Sequence, residues 1–572
     1  MRPWPARWRE LAGDDRAELG TLAAMSSNGE SLISRGLGVI EWLGNKLPDP
    51  LFLFLGATVL VVVLSAAGSG LGWSVQPVRP VAAAGEVSGG GKPRVELVPY
   101  GDPIRARSLM TADGAYWLTA NMVRNFINFA PLGVVLVSMF GIGLAEKVGL
   151  FGAAMRQLAG ITPSFLLTPT VLLLGICSNI ASDAGYIVLP ALAGGLYAAA
   201  GRPALAGIAT AFAGVAGGFS ANFLIASTDT LIAPLTEQGA RVLDPAYSVL
   251  PTCNWYFLAA SILVLVPVGW LVTAKVTEPR LAASADGGGR GGELAHLTRE
   301  ERRGLRWALV GAAAAVVLVV GLIFEPGAPL HGTMPAAAPA FGPIPVSGPP
   351  SAAALPPRWS QGVVPLIFVG FLLPGLAYGL ASGAVRSTKD VSDALVHSMR
   401  TMAPVIAVAF FAAQFIECLK YTRLDTMIAQ SGGKLLAGAD LPVPVMLASV
   451  ILLVMVVNLL VASMSAKWTA LSLILVPMMM MTGVAPELTQ AAYRVGDSVT
   501  NIVTPLNTYV ILILAAGQKY RPQLGIGNIV AMMLPYSVAF WIAWTLFLLA
   551  YVYLGVPLGP NAPLWYAAPT AP

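Results

Sequence analysis

Long apolar stretches follow one another along the chain, near residues 51–71, 126–145, 164–200, 204–235, 255–275, 305–324, 361–382, 401–417, 442–482, 490–516 and 526–554. About 20 apolar residues suffice to cross a bilayer core as a helix. Seven of the stretches are plain single spans. Two, 164–200 and 442–482, are about twice as long and carry a polar patch in the middle. Two more, 204–235 and 490–516, have the length of a span but are interrupted by small and polar residues. The pattern predicts an all-α polytopic membrane protein. It has nine transmembrane helices, two of them broken, and two re-entrant hairpins that enter and leave on one side.

The positive charges test this count, because Lys and Arg gather on the cytoplasmic side. They concentrate in four places. These are the tail to residue 50 (Arg2, Arg7, Arg9, Arg16, Arg35, Lys46), the 275–306 loop (Lys275, Arg280, Arg290, Arg299, Arg302, Arg303, Arg306), the 383–400 loop (Arg386, Lys389, Arg400), and Lys519 with Arg521. Nine crossings from a cytoplasmic N-terminus put all four inside, and the Pro-rich 325–357 loop and the uncharged 557–572 tail outside. The 72–115 loop runs against the rule, with Arg79, Lys92, Arg94, Arg105 and Arg107 on the outer side.

The expected organisation is a cytoplasmic tail 1–50, a first half 51–275, a Gly-rich cytoplasmic linker 276–304, scaffold helices 305–382, a second repeat 383–556 and an external tail 557–572. Leu32, Ile33, Leu37, Ile40, Leu43 and Leu47 recur at helical spacing. They read either as an amphipathic helix on the membrane surface or as an ordinary docked helix. Met1 to Ser27 lacks the unbroken apolar core of a signal peptide.

Composition narrows the class. The chain is 56% hydrophobic and 11% charged, with mean hydropathy +0.72, whereas soluble domains carry roughly 25% charged residues. A soluble multidomain enzyme, a disordered scaffold and a disulfide-built domain are excluded. Cys177, Cys253, Cys418, His296, His331 and His397 stand far apart, so thiol redox chemistry and a zinc site are not expected. The chain contains no GxSxG or HExxH, which argues against a membrane-embedded enzyme. No cofactor and no nucleic-acid partner is implied.

The two halves are alike in the order of their polar patches. The first hairpin carries Ser178-Asn179-Ile-Ala-Ser182-Asp183-Ala-Gly185-Tyr186 and the second Ser463-Met-Ser465-Ala-Lys467-Trp468-Thr469. Each is followed by a broken span, with Gly218, Ser220, Asn222 and Asp229 in the first and Gly496, Asp497, Asn501, Pro505 and Asn507 in the second. Corresponding positions lie roughly 280 residues apart. Counting crossings, the two hairpins enter from opposite sides. Such inverted repeats with discontinuous helices mark secondary transporters, with the substrate at the midplane.

Unpaired backbone groups are not tolerated in lipid. Broken helices therefore offer carbonyl, Ser, Thr and Asn oxygens to a cation, and half-helix N-termini to a carboxylate, or else they hydrogen-bond packed helices together. Asn179, Asp183, Asn222, Asp229, Asp497, Asn501 and Asn507 are the candidates for coupling a cation, Na+ or H+. A charge at membrane depth costs about 3 kcal/mol on insertion scales and persists when paired or functional. Arg494 and Asp497 are three apart on one helix face, which suits a structural ion pair or a substrate site. Lys467 and Glu417 either snorkel to an interface or serve the site. Trp468 either belongs to an interface belt or stacks on an aromatic ligand.

The segments Cys177-Ser-Asn-Ile-Ala-Ser-Asp-Ala-Gly-Tyr186, Ser465-Ala-Lys-Trp468 and Gly496-Asp-Ser-Val-Thr-Asn-Ile-Val-Thr-Pro-Leu-Asn507 resemble those of the AbgT family, and the likeness runs from about Ser31 to Gly555. The resemblance implies a dimer of nine-helix subunits with two re-entrant hairpins and a bowl open to the cytoplasm. It also implies transport of p-aminobenzoyl-glutamate or export of sulfonamide antimetabolites. By resemblance, Asp183, Asn458, Ser465, Trp468, Pro486, Arg494 and Asp497 form the substrate site. Arg494 would hold a carboxylate, Trp468 the ring, and Asn458 with Ser465 the amide.

The expectation is a secondary active transporter of the bacterial cytoplasmic membrane that moves p-aminobenzoyl-glutamate or a related aromatic amide, coupled to a cation gradient. The rivals are the same architecture carrying another organic anion, such as a dicarboxylate, and an ion channel.

Overall fold

The computed structural model describes residues 50–88, 92–179, 184–283, 297–332, 358–504, 506–507 and 509–568. The surface helix expected before residue 50, Asp183 with the first hairpin tip, and most of the two long loops lie outside the described residues.

The described chain opens with α1 (Pro50–Gly70). Four short strands follow: β1 (Ser74–Val75), β2 (Val78–Ser88), β3 (Lys92–Pro99) and β4 (Ile104–Arg105). β1 pairs with β4 and β2 with β3, both antiparallel. The reading of an all-α chain had no strands here. The signal was legible as two Val-rich runs flanking Gly89-Gly90-Gly91, a hairpin pattern that apolar length alone does not weigh. The ribbon is docked. Gln430 Nε2 donates to the Val78 carbonyl at 3.0 Å, and Gln430 Oε1 accepts from its N–H at 2.8 Å. Lys434 Nζ donates to the Gln76 carbonyl at 2.6 Å. The loop that broke the charge rule is thus a folded element, and that rule is strong only for short loops.

Next come α2 (Ala112–Ile127), α3 (Ala130–Lys147) and α4 (Leu150–Ile161). α5 (Leu167–Ser178) and α6 (Ala184–Ala199) are the arms of the first predicted hairpin. α7 (Ala204–Phe212) passes into a π turn at Ala213–Gly217, loses helical form over 218–226 and resumes as α8 (Ser227–Ala240). α9 (Trp255–Val272), α10 (Arg299–Phe324), α11 (Val363–Ser382), α12 (Thr388–Thr401), α13 (Ala403–Thr422) and α14 (Leu424–Gly438) follow. α15 (Val443–Leu460) and α16 (Met464–Met481) are the arms of the second hairpin. α17 (Pro486–Thr500), a break that includes the described residues 501–504, 506–507 and 509, and α18 (Val510–Gln518) precede α19 (Ile526–Tyr553).

Among the described residues, nine helices are long and apolar enough to cross a membrane. Seven of them are the seven predicted plain spans. Both arms of the second hairpin qualify, while the two broken helices do not. At 1.5 Å per residue, the 12 residues of α5 reach about 18 Å, short of the roughly 30 Å hydrocarbon core. The 18 residues each of α15 and α16 reach about 27 Å by the same rise.

Helices α3, α10, α11 and α12 pack on one another in one group. Small residues on one face of α10, Gly304, Ala308, Gly311 and Ala315, are buried against α11, while Leu309, Val316 and Val317 face outward. A methyl group on Gly311 would come within 2.8 Å of the Leu373 carbonyl, the close approach that small residues permit between membrane helices.

Interior to this group, the broken helices trade contacts. α7 packs on α6 and α17 on α15, each beside its own hairpin. Past its break, α8 packs on α16 and α18 on α6, each against the hairpin of the other half. The first break also touches the last turn of α17 directly: Ser220 N–H donates to Ser498 Oγ at 3.2 Å.

Candidate functional site

The site is organised by α17. Every residue from Pro486 to Thr500 is buried, yet Glu487, Gln490, Arg494, Asp497 and Asn501 recur every three or four positions and so form one polar stripe. Pro486 starts the helix at a position whose N–H has no intrahelical role. Gly496 brings the helix close to α15, for a methyl group there would meet the Ile451 carbonyl at 2.6 Å.

The stripe carries two buried ion pairs about one turn apart. In the first, Lys467 Nζ of α16 lies 2.6 Å from Asp497 Oδ1, both side chains fully buried. This pair sits in a dense polar cluster, although Asp497 Oδ1 has no hydrogen-bond partner among the described residues apart from the ion pair. Lys467 Nζ also donates to Asn458 Oδ1. Asn458 Nδ2 lies 2.7 Å from the Asp497 carbonyl, 2.7 Å from Thr500 Oγ1 and 2.9 Å from Asn501 Oδ1. Asn507 Nδ2 donates to the Asn501 carbonyl at 3.0 Å and extends the cluster into the second break.

In the second pair, Arg494 Nη2 meets Asp229 Oδ1 of α8. Arg494 is wholly buried and Asp229 nearly so. Asp229 sits in the first turn of α8, where its Oδ2 accepts from the Ala226 N–H at 2.6 Å. Arg494 is less well used: its Nε and Nη1 have no hydrogen-bond partner among the described residues. A guanidinium offers five donors in a fork suited to a carboxylate, and here most of the fork is free.

An aromatic and polar wall stands beside the pairs. Trp468 stacks on Tyr493 with ring centres 4.2 Å apart, and the Tyr493 hydroxyl donates to the Met464 carbonyl. Trp468 Nε1 donates to Thr236 Oγ1 at 2.8 Å, and Thr236 donates to Gln490 Oε1 at 2.5 Å. Gln490 donates to Asn254 Oδ1 at 2.8 Å, and Asn254 donates to the Glu487 carbonyl at 2.9 Å. Tyr247 OH donates to Glu487 Oε2 at 2.9 Å and closes the chain.

The structure brings together Asn458, Trp468, Arg494, Asp497, Asn501, Asn507 and Asp229. Ser465 is near the start of α16, 3.4 Å from Ser463 Oγ, and Pro486 stands at the far end of α17. Asn179 and Asn222 belong to the first half. Asn179 Nδ2 donates to the Ile176 and Val215 carbonyls at 3.1 and 3.0 Å and ties the end of α5 to the π turn, while its Oδ1 has no partner among the described residues. The Asn222 amide, oriented to donate, reaches the Ala221 and Ile176 carbonyls at 3.3 Å. Asp183 lies outside the described residues.

Three readings are settled against one of their alternatives. Lys467 does not snorkel, because its charge is buried against Asp497. Trp468 is no interface-belt residue, because it is fully buried. Arg494 and Asp497 do not pair with each other; each takes a partner from another helix. Glu417, in contrast, is partly exposed and pairs with Lys420 at 2.7 Å.

Glu487, Gln490, Thr236, Asn254 and Tyr493 were not foreseen. The three-to-four spacing from Glu487 to Asn501 was available as a signal. The contributions of Thr236 and Asn254 depend on tertiary packing.

The chain matches the "AbgT putative transporter family" over residues 35–566. It is 32% identical over 524 residues to the p-aminobenzoyl-glutamate transport protein of Escherichia coli strain K12, covering 92% of this chain and 96% of that one. Among solved structures it is similar to the Alcanivorax borkumensis YdaH transporter, described as having an unusual topology, with TM-score 0.77, 35% identity, and coverage of 90% of this chain and 100% of that one. It is also similar to Neisseria gonorrhoeae MtrF, described as illuminating a class of antimetabolite efflux pumps, with TM-score 0.76, 38% identity, and coverage of 92% and 100%.

Proposed function

The chain belongs to the AbgT family, a family of transporters and not of enzymes, and from that premise we propose that it is a secondary active transporter of p-aminobenzoyl-glutamate or a related aromatic amide such as a sulfonamide antimetabolite. The observation that carries the reading is Arg494, a buried guanidinium whose Nε and Nη1 have no hydrogen-bond partner among the described residues, beside the Trp468–Tyr493 stack. Such a pairing suits a ligand that joins a carboxylate to an aromatic ring. The named activities of two relatives, p-aminobenzoyl-glutamate transport and antimetabolite efflux, support this substrate class.

In this reading the chain is a multi-pass protein of the bacterial cytoplasmic membrane, with a cytoplasmic N-terminus, and works as a homodimer. The exchanged contacts between halves support an inverted repeat, and the shortness of α5 supports a re-entrant first hairpin. Alternating access follows if the hairpins and broken helices move against the α3–α10–α11 group. Trp468 is fully covered in this conformation, so its ring meets substrate only after α16 shifts. Asp183 and Asp497 remain candidates for cation coupling, with Asn179, Asn222, Asp229, Asn501 and Asn507 as further oxygen donors.

The test is flux of labelled p-aminobenzoyl-glutamate in proteoliposomes, with proton and sodium gradients imposed separately. Accumulation that collapses with one gradient establishes substrate and coupling ion together. Sealed vesicles containing folded protein but showing no flux would remove this substrate, and sulfonamides and dicarboxylates would be tested in its place. Unitary currents in planar bilayers would favour a channel instead.

A further inference from the structure

Asp229 already stands where a substrate carboxylate would be expected. It lies at the N-terminal turn of a half-helix that follows a break, the place that attracts carboxylates in discontinuous transporter helices. It also occupies the guanidinium that would receive such a group. We propose that Asp229 is a resident surrogate for the substrate carboxylate. In the empty carrier it neutralises Arg494; on binding it yields Arg494 to the substrate, and a monovalent cation then compensates Asp229. The proposal rests on the reading that Arg494 receives a carboxylate.

Charge conservation drives the second half of the argument. The two ion pairs together are neutral. A substrate carboxylate that takes Arg494 leaves Asp229 as an uncompensated buried charge, which is costly. A proton on Asp229 or a sodium ion beside it removes that cost. Ser220 Oγ and Thr228 Oγ1, on the same break and helix start, are buried without hydrogen-bond partners among the described residues and can add oxygen ligands to a sodium ion. Lys467 does not supply the missing charge, because it is committed to Asp497 and Asn458. The titratable groups on the elements packed against α8 are Glu146 and Lys147 on α3, Lys467 on α16, and Glu487, Tyr493, Arg494 and Asp497 on α17. Cys253 stands near the Asp229–Arg494 pair. Arg494 alone among them pairs with Asp229.

The experiment is calorimetric binding of p-aminobenzoyl-glutamate to the full chain in lipid nanodiscs. It is run across pH, across sodium concentration and in buffers of different ionisation enthalpy. In the wild type, affinity should rise as pH falls, by up to about tenfold per pH unit with one proton taken up, or should rise with sodium; which one it follows names the cation. Asp229→Asn should bind about tenfold or more tightly at high pH without sodium, because an internal competitor is gone, and its affinity should be flat in both variables. A merely structural Asp229 would lower the melting temperature and leave the linkage unchanged. Asp229→Ser keeps an acceptor for the Ala226 N–H and serves if the Asn variant does not assemble. Wild-type binding that ignores both pH and sodium, or a variant that keeps the wild-type dependence, overturns the inference alone. No binding by folded wild type overturns the substrate reading, and the inference with it.

Discussion

The two ion pairs on α17 are built from the same kinds of groups, yet they differ in how fully they are used. Lys467–Asp497 is closed: Asn458 accepts from the ammonium, and the same amide reaches the Asp497 carbonyl, Thr500 and Asn501. Arg494–Asp229 is open, with Nε and Nη1 of the guanidinium unpartnered. A buried pair repays its desolvation only when the remaining hydrogen-bonding capacity is met. The closed pair comes nearer to that condition from within the protein, through Asn458, Thr500 and Asn501, although Asp497 Oδ1 has no hydrogen bond among the described residues beyond its ion pair. The open pair does not, and in the function proposed above its guanidinium is what receives the substrate carboxylate.

The comparison can be broken most forcefully at the closed pair. Asp497→Ala strands Lys467 and should cost about 3–5 kcal/mol, read as a large fall in thermal stability in detergent. Replacing both partners with apolar residues, Lys467→Met with Asp497→Leu, should recover most of that stability. A single variant as stable as wild type would mean that the pair is not closed in the membrane.

A control away from both pairs comes next. Gly311→Val forces a side chain against the Leu373 carbonyl, whose closest approach to a methyl there is already 2.8 Å. Overpacking of this kind costs about 1–3 kcal/mol. Stability should fall while substrate affinity in the folded fraction is unchanged.

At the open pair, Arg494→Lys retains the charge for Asp229 but loses the fork. Affinity for p-aminobenzoyl-glutamate should weaken by about tenfold or more, a change of about 1.4 kcal/mol, with stability nearly intact. Equal affinity in equilibrium binding would show that the spare donors are not the recognition element. Trp468→Phe keeps a ring on Tyr493 but deletes the donor to Thr236; a loss of about 1 kcal/mol is expected, together with a severalfold rise in the transport KM.

The smallest effect is expected outside the membrane. The N–H groups of Arg386 and Ser387, with the Ser387 hydroxyl, hold the exposed Asp390 carboxyl below its ordinary range. A carboxylate of lowered pKa contributes stability above its unfolded value and loses it as pH falls through the folded one. The slight stabilisation from this helix start should therefore be present at neutral pH and fade in acid, and Asp390→Asn should remove that dependence without touching either buried pair. Thermal unfolding across pH checks it.

Much of this architecture was legible in one dimension. Apolar stretches located α1, α3, α9, α10, α11, α13 and α19, the arms of both hairpins and both broken helices, but not α2, α4, α12 or α14; the interruptions at Gly218 and near Pro505 located the breaks, because lipid leaves a chain few ways to satisfy its backbone. The segment 72–115 was not legible in this way: its strands form a Val-rich ribbon, not a membrane span, held by Gln430 and Lys434 from a helix some 350 residues further on. Within the site, the sequence named Arg494 and Asp497 and placed them on one helix face, and spacing alone then suggested that they pair. The tertiary structure gave each a different partner. Charges at membrane depth take the opposite charge that packing brings to them: Asp229 arrives from α8, far away in the chain, and Lys467 from α16, the preceding helix folded back on α17. The residue types determined that buried charges would exist and would need partners; only the fold decided which pair is closed and which stays open.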